Sequence, residues 1–94
     1  MAAPVLIAVD QDHGVVAAVE RQLVQRYGNE YRVEAYRDPD EALRRLTTLR
    51  DEGADVALVF AGPSSTATEH GELLEEVRRL HPHAKRALLV PANA

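Results

Sequence analysis

Val5-Leu6-Ile7-Ala8-Val9-Asp10-Gln11-Asp12, residues 5–12, decides the reading of this chain. Five apolar residues in succession leave no wet face, so they predict a strand buried on both sides, as in a parallel sheet. The run stops at acids. In an open α/β sheet, ligands sit outside the carboxyl ends of the strands, so Asp10 and Asp12 fall where a site belongs.

Downstream, Asp12 is placed to cap a helix, its carboxylate accepting from the free N–H groups of the next turn. A helix fits His13 to Tyr27, with Val16, Val19, Leu23 and Tyr27 at helical spacing and facing the sheet. Gly28 is the expected stop, by tolerating a left-handed backbone. Tyr31 to Tyr36 alternates in polarity, which predicts an edge strand with one solvated face. In Asp38-Pro39-Asp40-Glu41, Asp38 caps, Pro39 takes the first helical position and Glu41 reaches back to close a capping box. That helix runs to about Arg50, buries Ala42, Leu43, Leu46 and Leu49, and ends at Gly53.

Asp55 to Ala61 (DVALVFA) is the second apolar run and predicts a central strand. Residues 62–68, GPSSTAT, form a small-residue loop. A third helix spans Glu69 to Leu80, with Leu73, Leu74, Val77 and Leu80 on its apolar side, and Pro82 bars its continuation. Lys85 to Val90 (KRALLV) is a fourth strand. The order β-α-β-α-β-α-β predicts a parallel sheet with helices on both faces, in one domain spanning residues 1–94.

Composition narrows the function classes. The chain is 46% hydrophobic and 28% charged, the balance of an ordinary globular domain. It has no cysteine, which excludes disulfides, Cys-ligated zinc and thiol catalysis, and makes the cytoplasm the expected address. A net charge of -4 gives no electrostatic reason to bind nucleic acid or an anionic membrane. No apolar run approaches the roughly 20 residues of a membrane span. Gly-rich phosphate-binding patterns are absent, so neither a dinucleotide nor a P-loop site is expected.

The stretches PVLIAVDQDHGVVAAVERQL (4–23), DPDEAL (38–43), DVALVFA (55–61) and AKRALLV (84–90) resemble the bacterial response-regulator receiver domain, a flavodoxin-like fold. The run AVERQLVQRYGNEYRV (18–33) is similar to receiver modules fused N-terminally to thioredoxin-reductase-like flavoproteins. The resemblance implies strand order 2-1-3-4, with the chain stopping before the family's fifth strand. An open edge and an uncovered sheet face then follow. Both invite pairing with another chain, so a protein partner or self-association is expected, or a piece of a longer protein.

The resemblance also implies which positions carry chemistry. In a working receiver, acids after the first strand hold Mg²⁺ and an Asp ending the third strand accepts a phosphoryl group. A Thr or Ser ending the fourth strand and a Lys ending the fifth sense the product. Here the acidic pair falls on Asp10 and Gln11, the acceptor on Gly62 and the Thr/Ser position on Val90. Shifting the acceptor to Ala61 or Phe60 supplies no carboxylate either. Asp55 begins the third strand, and six residues at about 3.3 Å each leave it about 20 Å from the carboxyl end. The expectation is a degenerate, phosphorylation-independent receiver-like module of two-component type, without enzymatic activity or cofactor. The alternatives are a phospho-acceptor with relocated chemistry, or the regulatory N-terminal domain of a thioredoxin-reductase-like flavoprotein. A small flavin-binding domain fits less well, since none of Tyr27, Tyr31, Tyr36 and Phe60 falls on an expected strand–helix loop at the carboxyl side.

Other candidates read more plainly. Asp10 and Asp12 are possible Mg²⁺ ligands, but one or two carboxylates without a phosphate make a poor site, and a turn acid beside a helix cap is the expected role. Ser64, Ser65, Thr66 and Thr68 suit a polar connection better than a set of modification sites. His70, His81 and His83 match no compact zinc spacing and are expected on the surface. Arg44-Arg45 and Arg78-Arg79 have acids nearby and are expected to form solvated helix faces with local ion pairs.

Overall fold

The computed structural model describes residues 3–62 and 67–88, the side chains of 67–71 and 88 excepted. Its elements are β1 (Val5–Val9), α1 (His13–Tyr27), β2 (Arg32–Tyr36), α2 (Pro39–Asp51), β3 (Val56–Ala61), α3 (Ala67–Leu80) and β4 (Lys85–Leu88). The strands form one parallel sheet in the order β2-β1-β3-β4, consistent with a flavodoxin-like α/β fold. All five residues of β1 are buried, as an apolar strand between two paired neighbours and two helical layers must be.

The pleat sorts those residues into two faces. On one face Val5, Ile7 and Val9 join Val59 and Ala61 of β3 and pack beneath α2 and α3, through Ala42, Leu46, Leu49, Leu73, Val77 and Leu80. On the other face Leu6 and Ala8 meet α1, whose Val16 is buried. The two faces are unequal. The predicted inner stripe of α1 is buried only at Val16. Val19 and Leu23 are half-buried, and Tyr27 is 40% exposed. On the same face, Leu58 and Phe60 of the central strand β3 remain half-buried. Among the described residues no helix covers β3 and β4 on this side.

Local signals place the helix ends. Asp12 caps α1, its side chain accepting from the N–H of Val15 at 3.1 Å. Asp38 caps α2 by accepting from the N–H of Asp40 at 2.9 Å, with Pro39 in the first turn. The expected Glu41 bond back to the cap does not form, so half of the capping box is absent. Gly28 is also a correction. Its φ is -61, an ordinary right-handed value. A Cβ there would lie 2.5 Å from the carbonyl oxygen of Val24, so the glycine is needed for a close approach rather than for a left-handed turn. The left-handed residue is Gly53, φ 73, which ends α2 after Glu52.

On the face of β2 expected to be solvated, Arg32 is exposed but Glu34 and Tyr36 are half-buried beside α2. Glu34 there takes the Arg45 guanidinium in a forked contact, Nε to Oε1 at 2.8 Å and Nη2 to Oε2 at 3.0 Å. Arg45 is therefore tied across elements, whereas Arg79 pairs locally with Glu76 as expected. His81 is the other departure from the surface reading. It is 9% exposed, and its Nε2 lies 2.9 Å from the carbonyl oxygen of Leu46, pinning the end of α3 to α2.

Candidate functional site

The carboxyl ends of β1 and β3 lie side by side, with Val9 paired to Ala61. The next residue on each strand is therefore brought to one point: Asp10 from β1 and Gly62 from β3. The N–H of Gly62 donates to the carbonyl of Val9 at 2.8 Å, and the N–H of Asp10 donates to Tyr36 at 3.1 Å, which extends the sheet by one step. Asp10 is 2% exposed. Its Oδ1 accepts from the N–H of Asp12 at 2.7 Å, tightening the turn into α1.

The Asp10 carboxylate leans over Gly62. A Cβ built on Gly62 would stand 1.9 Å from Asp10 Oδ2 and 2.7 Å from its carboxyl carbon. The position that resemblance assigns to a phosphoryl acceptor thus lacks a side chain and also lacks room for one. The hollow bounded by Ala8, Val9, Asp10, Val16, Val19, Phe60 and Gly62 holds no space for a water molecule.

Asp12, the second candidate metal ligand, is exposed and spends Oδ1 on the helix cap. Among the described residues no three His, Asp or Glu side chains are grouped to hold a metal ion. Gln11 is exposed and faces a shallow cleft of about 190 Å³, shared with Asp38, Pro39, Asp40, Leu43, Glu72 and Leu73. Three carboxylates line that cleft, which repels a phosphate rather than attracting it. Val90, Ser64, Ser65 and Thr66 lie outside the described residues, as do the side chains of Thr68 and His70.

The perturbed titrations lie away from this end, where α2 meets β2. The forked Arg45 bond, aided by the hydroxyl of Tyr36 at 2.7 Å, holds the Glu34 carboxyl below its ordinary range against a smaller opposing effect of burial. Burial first, then the bond to Glu34, pushes the Tyr36 phenol up to about 12. Arg45 is held still more firmly in its charged form by the bond to Glu34. This cluster is a clamp between an edge strand and a helix.

Sequence reasoning brought Asp10 and Gly62 to the same end of the sheet but missed that one fills the other's place. A glycine ending a buried strand is a known sign of close approach, which is the one signal that pointed there. The Glu34–Arg45 pair and the buried His81 had no such signal. No helix among the described residues is long and apolar enough to cross a membrane. Set against protein-family models, curated proteins and solved structures, the chain finds no match in any of the three.

Proposed function

We propose that this chain is a non-enzymatic, phosphorylation-independent regulatory module of receiver-like kind, which works by docking to a protein or to a second copy of itself. The observation that carries this reading is the Asp10 carboxylate lodged where a side chain on residue 62 would have to be. Phosphoryl transfer to an aspartate needs an exposed carboxylate and a metal to offset charge. Here the carboxylate at the meeting point of β1 and β3 is 2% exposed and tied into a turn. A fold keeps its shape when its site is lost, and a module without chemistry acts through its surfaces. A half-covered sheet face supplies such a surface.

The test is incubation with acetyl phosphate and Mg²⁺, read by intact mass, with beryllofluoride titrated in parallel and followed by amide chemical shifts. The expected result is an unchanged mass and no shifts around Asp10 and Gly62. A phosphoryl adduct on any aspartate would overturn the reading in favour of a relocated acceptor.

A further inference from the structure

The half-covered face of the sheet carries a groove of about 280 Å³ near the amino ends of its strands, lined by Leu6, Tyr27, Tyr31, Ala57, Leu58 and Lys85. Strand register lays out its floor. Leu6 of β1 lies opposite Leu58 of β3, and Leu58 lies opposite Lys85 of β4, so the three form one row across the sheet. The pairing of β1 with β3 slips just before this row, where Val5 meets Val56 but Leu6 meets Leu58. Ala57 is left over at the slip, and two consecutive residues of β3 therefore line the groove. Tyr27, at the end of α1, and Tyr31, just before β2, lie at the end of the row away from Lys85. Their rings meet edge to face with centres 5.9 Å apart, which stiffens that wall.

One charged residue lines this groove, and it is a cation. Lys85 is exposed and pairs with no acid among the described residues. A ligand must therefore match an apolar floor, an aromatic wall and one unpaired ammonium. Neighbouring strands lie about 4.8 Å apart, so the row from Leu6 to Lys85 is about 10 Å long. That length takes one aromatic ring with a short arm ending in an anion. The volume of about 280 Å³ sits at the lower end of small-molecule sites, which are mostly apolar concavities oriented by a few polar groups.

We infer that this groove binds a small aromatic carboxylate, its ring against Leu58 beside the two tyrosines and its carboxylate at the Lys85 ammonium. The inference goes beyond the docking reading and stands without it, because it uses neither the Asp10 end of the sheet nor a protein partner.

The test is a titration of the full chain with hydrocinnamate, hydrocinnamamide and phenylpropylamine, followed by two-dimensional NMR. The three probes share a ring and an arm and differ in charge. Hydrocinnamate is expected to bind saturably with a dissociation constant on the order of millimolar. It moves the backbone signals of Leu6, Tyr31 and Leu58 and the side-chain signal of Lys85, which is assigned by composition alone because the sequence has a single lysine. The amide binds about fivefold more weakly than the acid, as befits one exposed ion pair, and the amine more weakly still. Lys85→Met keeps an apolar stem and removes the charge at an exposed position, so it keeps the fold, which circular dichroism verifies. In that variant the acid falls to the level of the amide. Three outcomes overturn the inference: no saturable shifts at roughly tens of millimolar, equal binding of the three probes, or shifts that gather elsewhere on the chain. Groove signals that follow protein concentration and ignore the probes also overturn it, by giving the groove to a second copy. No phosphoryl donor enters this assay, so its failure is distinct from the appearance of a phosphoryl adduct, which would sink the functional reading instead.

Discussion

Substituting Gly62 tests the packing on which the functional reading rests. In Gly62→Ala the added methyl meets Asp10 Oδ2 at 1.9 Å, its carboxyl carbon at 2.7 Å and its Cβ at 2.8 Å. None of these can be accepted without moving a buried carboxylate that also holds the turn into α1. Overpacking of this degree costs about 1–3 kcal/mol. Gly62 does not have a positive φ, so no backbone strain contributes and the loss is steric. Gly62→Asp adds a second carboxylate beside the first. At about 4 Å and an effective dielectric of about 20, the repulsion approaches about 4 kcal/mol, unless one of the pair takes up a proton and limits it. The total is of the order of the whole stability of a domain this small, about 5–10 kcal/mol. Urea denaturation followed by circular dichroism gives each loss. The control is Asp10→Ala, which empties the space while removing one acceptor. In that background Gly62→Ala is expected to cost clearly less, because only the 2.8 Å approach to the residue 10 Cβ remains, and Gly62→Asp far less than in the unaltered chain. Equal costs of Gly62→Ala in the two backgrounds would refute the reasoning, because they would mean that Asp10 does not occupy the place of a residue 62 side chain.

The remaining predictions concern the edge of the sheet and one turn. Tyr36 keeps its proton in the folded chain up to about 12. The unfolded chain loses that proton near 10. Between these values the folded state binds more protons, so stability is full below about 10 and falls as pH rises towards 12. Equilibrium unfolding at stepped alkaline pH measures the fall, and Tyr36→Phe is expected to flatten it. Glu34 titrates the other way: its folded pKa is lowered, so its share of stability is present above the ordinary carboxylate range and is lost as pH falls through the folded value. Arg45→Ala, which removes the forked partner from a half-buried carboxylate, is expected to cost about 1–2 kcal/mol at neutral pH and to shrink the acid dependence; an unchanged acid limb would contradict this. Gly53→Ala forces a left-handed backbone, φ 73, on a residue with a Cβ in otherwise open space, and a loss of about 1 kcal/mol in thermal or urea unfolding is expected from conformation alone.

Signals that act within a turn or a single strand were legible in advance. The unbroken run Val5 to Val9 announces a doubly buried strand, and Asp12 and Asp38-Pro39 mark where α1 and α2 begin, because a cap satisfies N–H groups only two or three residues away. Alternation of strands and helices was enough for a parallel sheet, while the order β2-β1-β3-β4 followed from the resemblance and matches the structure. Two local readings also failed, the left-handed stop at Gly28 and the Glu41 half of the capping box, but the other misses are contacts between segments distant along the chain. Glu34 and Arg45 are 11 residues apart and His81 and Leu46 are 35 apart, so each contact exists only after a helix has crossed the sheet and come back. The half-buried state of Leu58 and Phe60 is of the same kind, since it depends on how far α1 reaches across the sheet rather than on the strand's own pattern.

The amino-acid order alone thus determined a buried first strand ending in acids and a third strand ending in glycine, because apolar run length and turn chemistry are local properties. That the acid of one strand fills the gap left by the glycine of the other was decided only when parallel pairing set Val9 beside Ala61. Register between distant segments is a property of the folded sheet, and here it leaves no room for a side chain at Gly62.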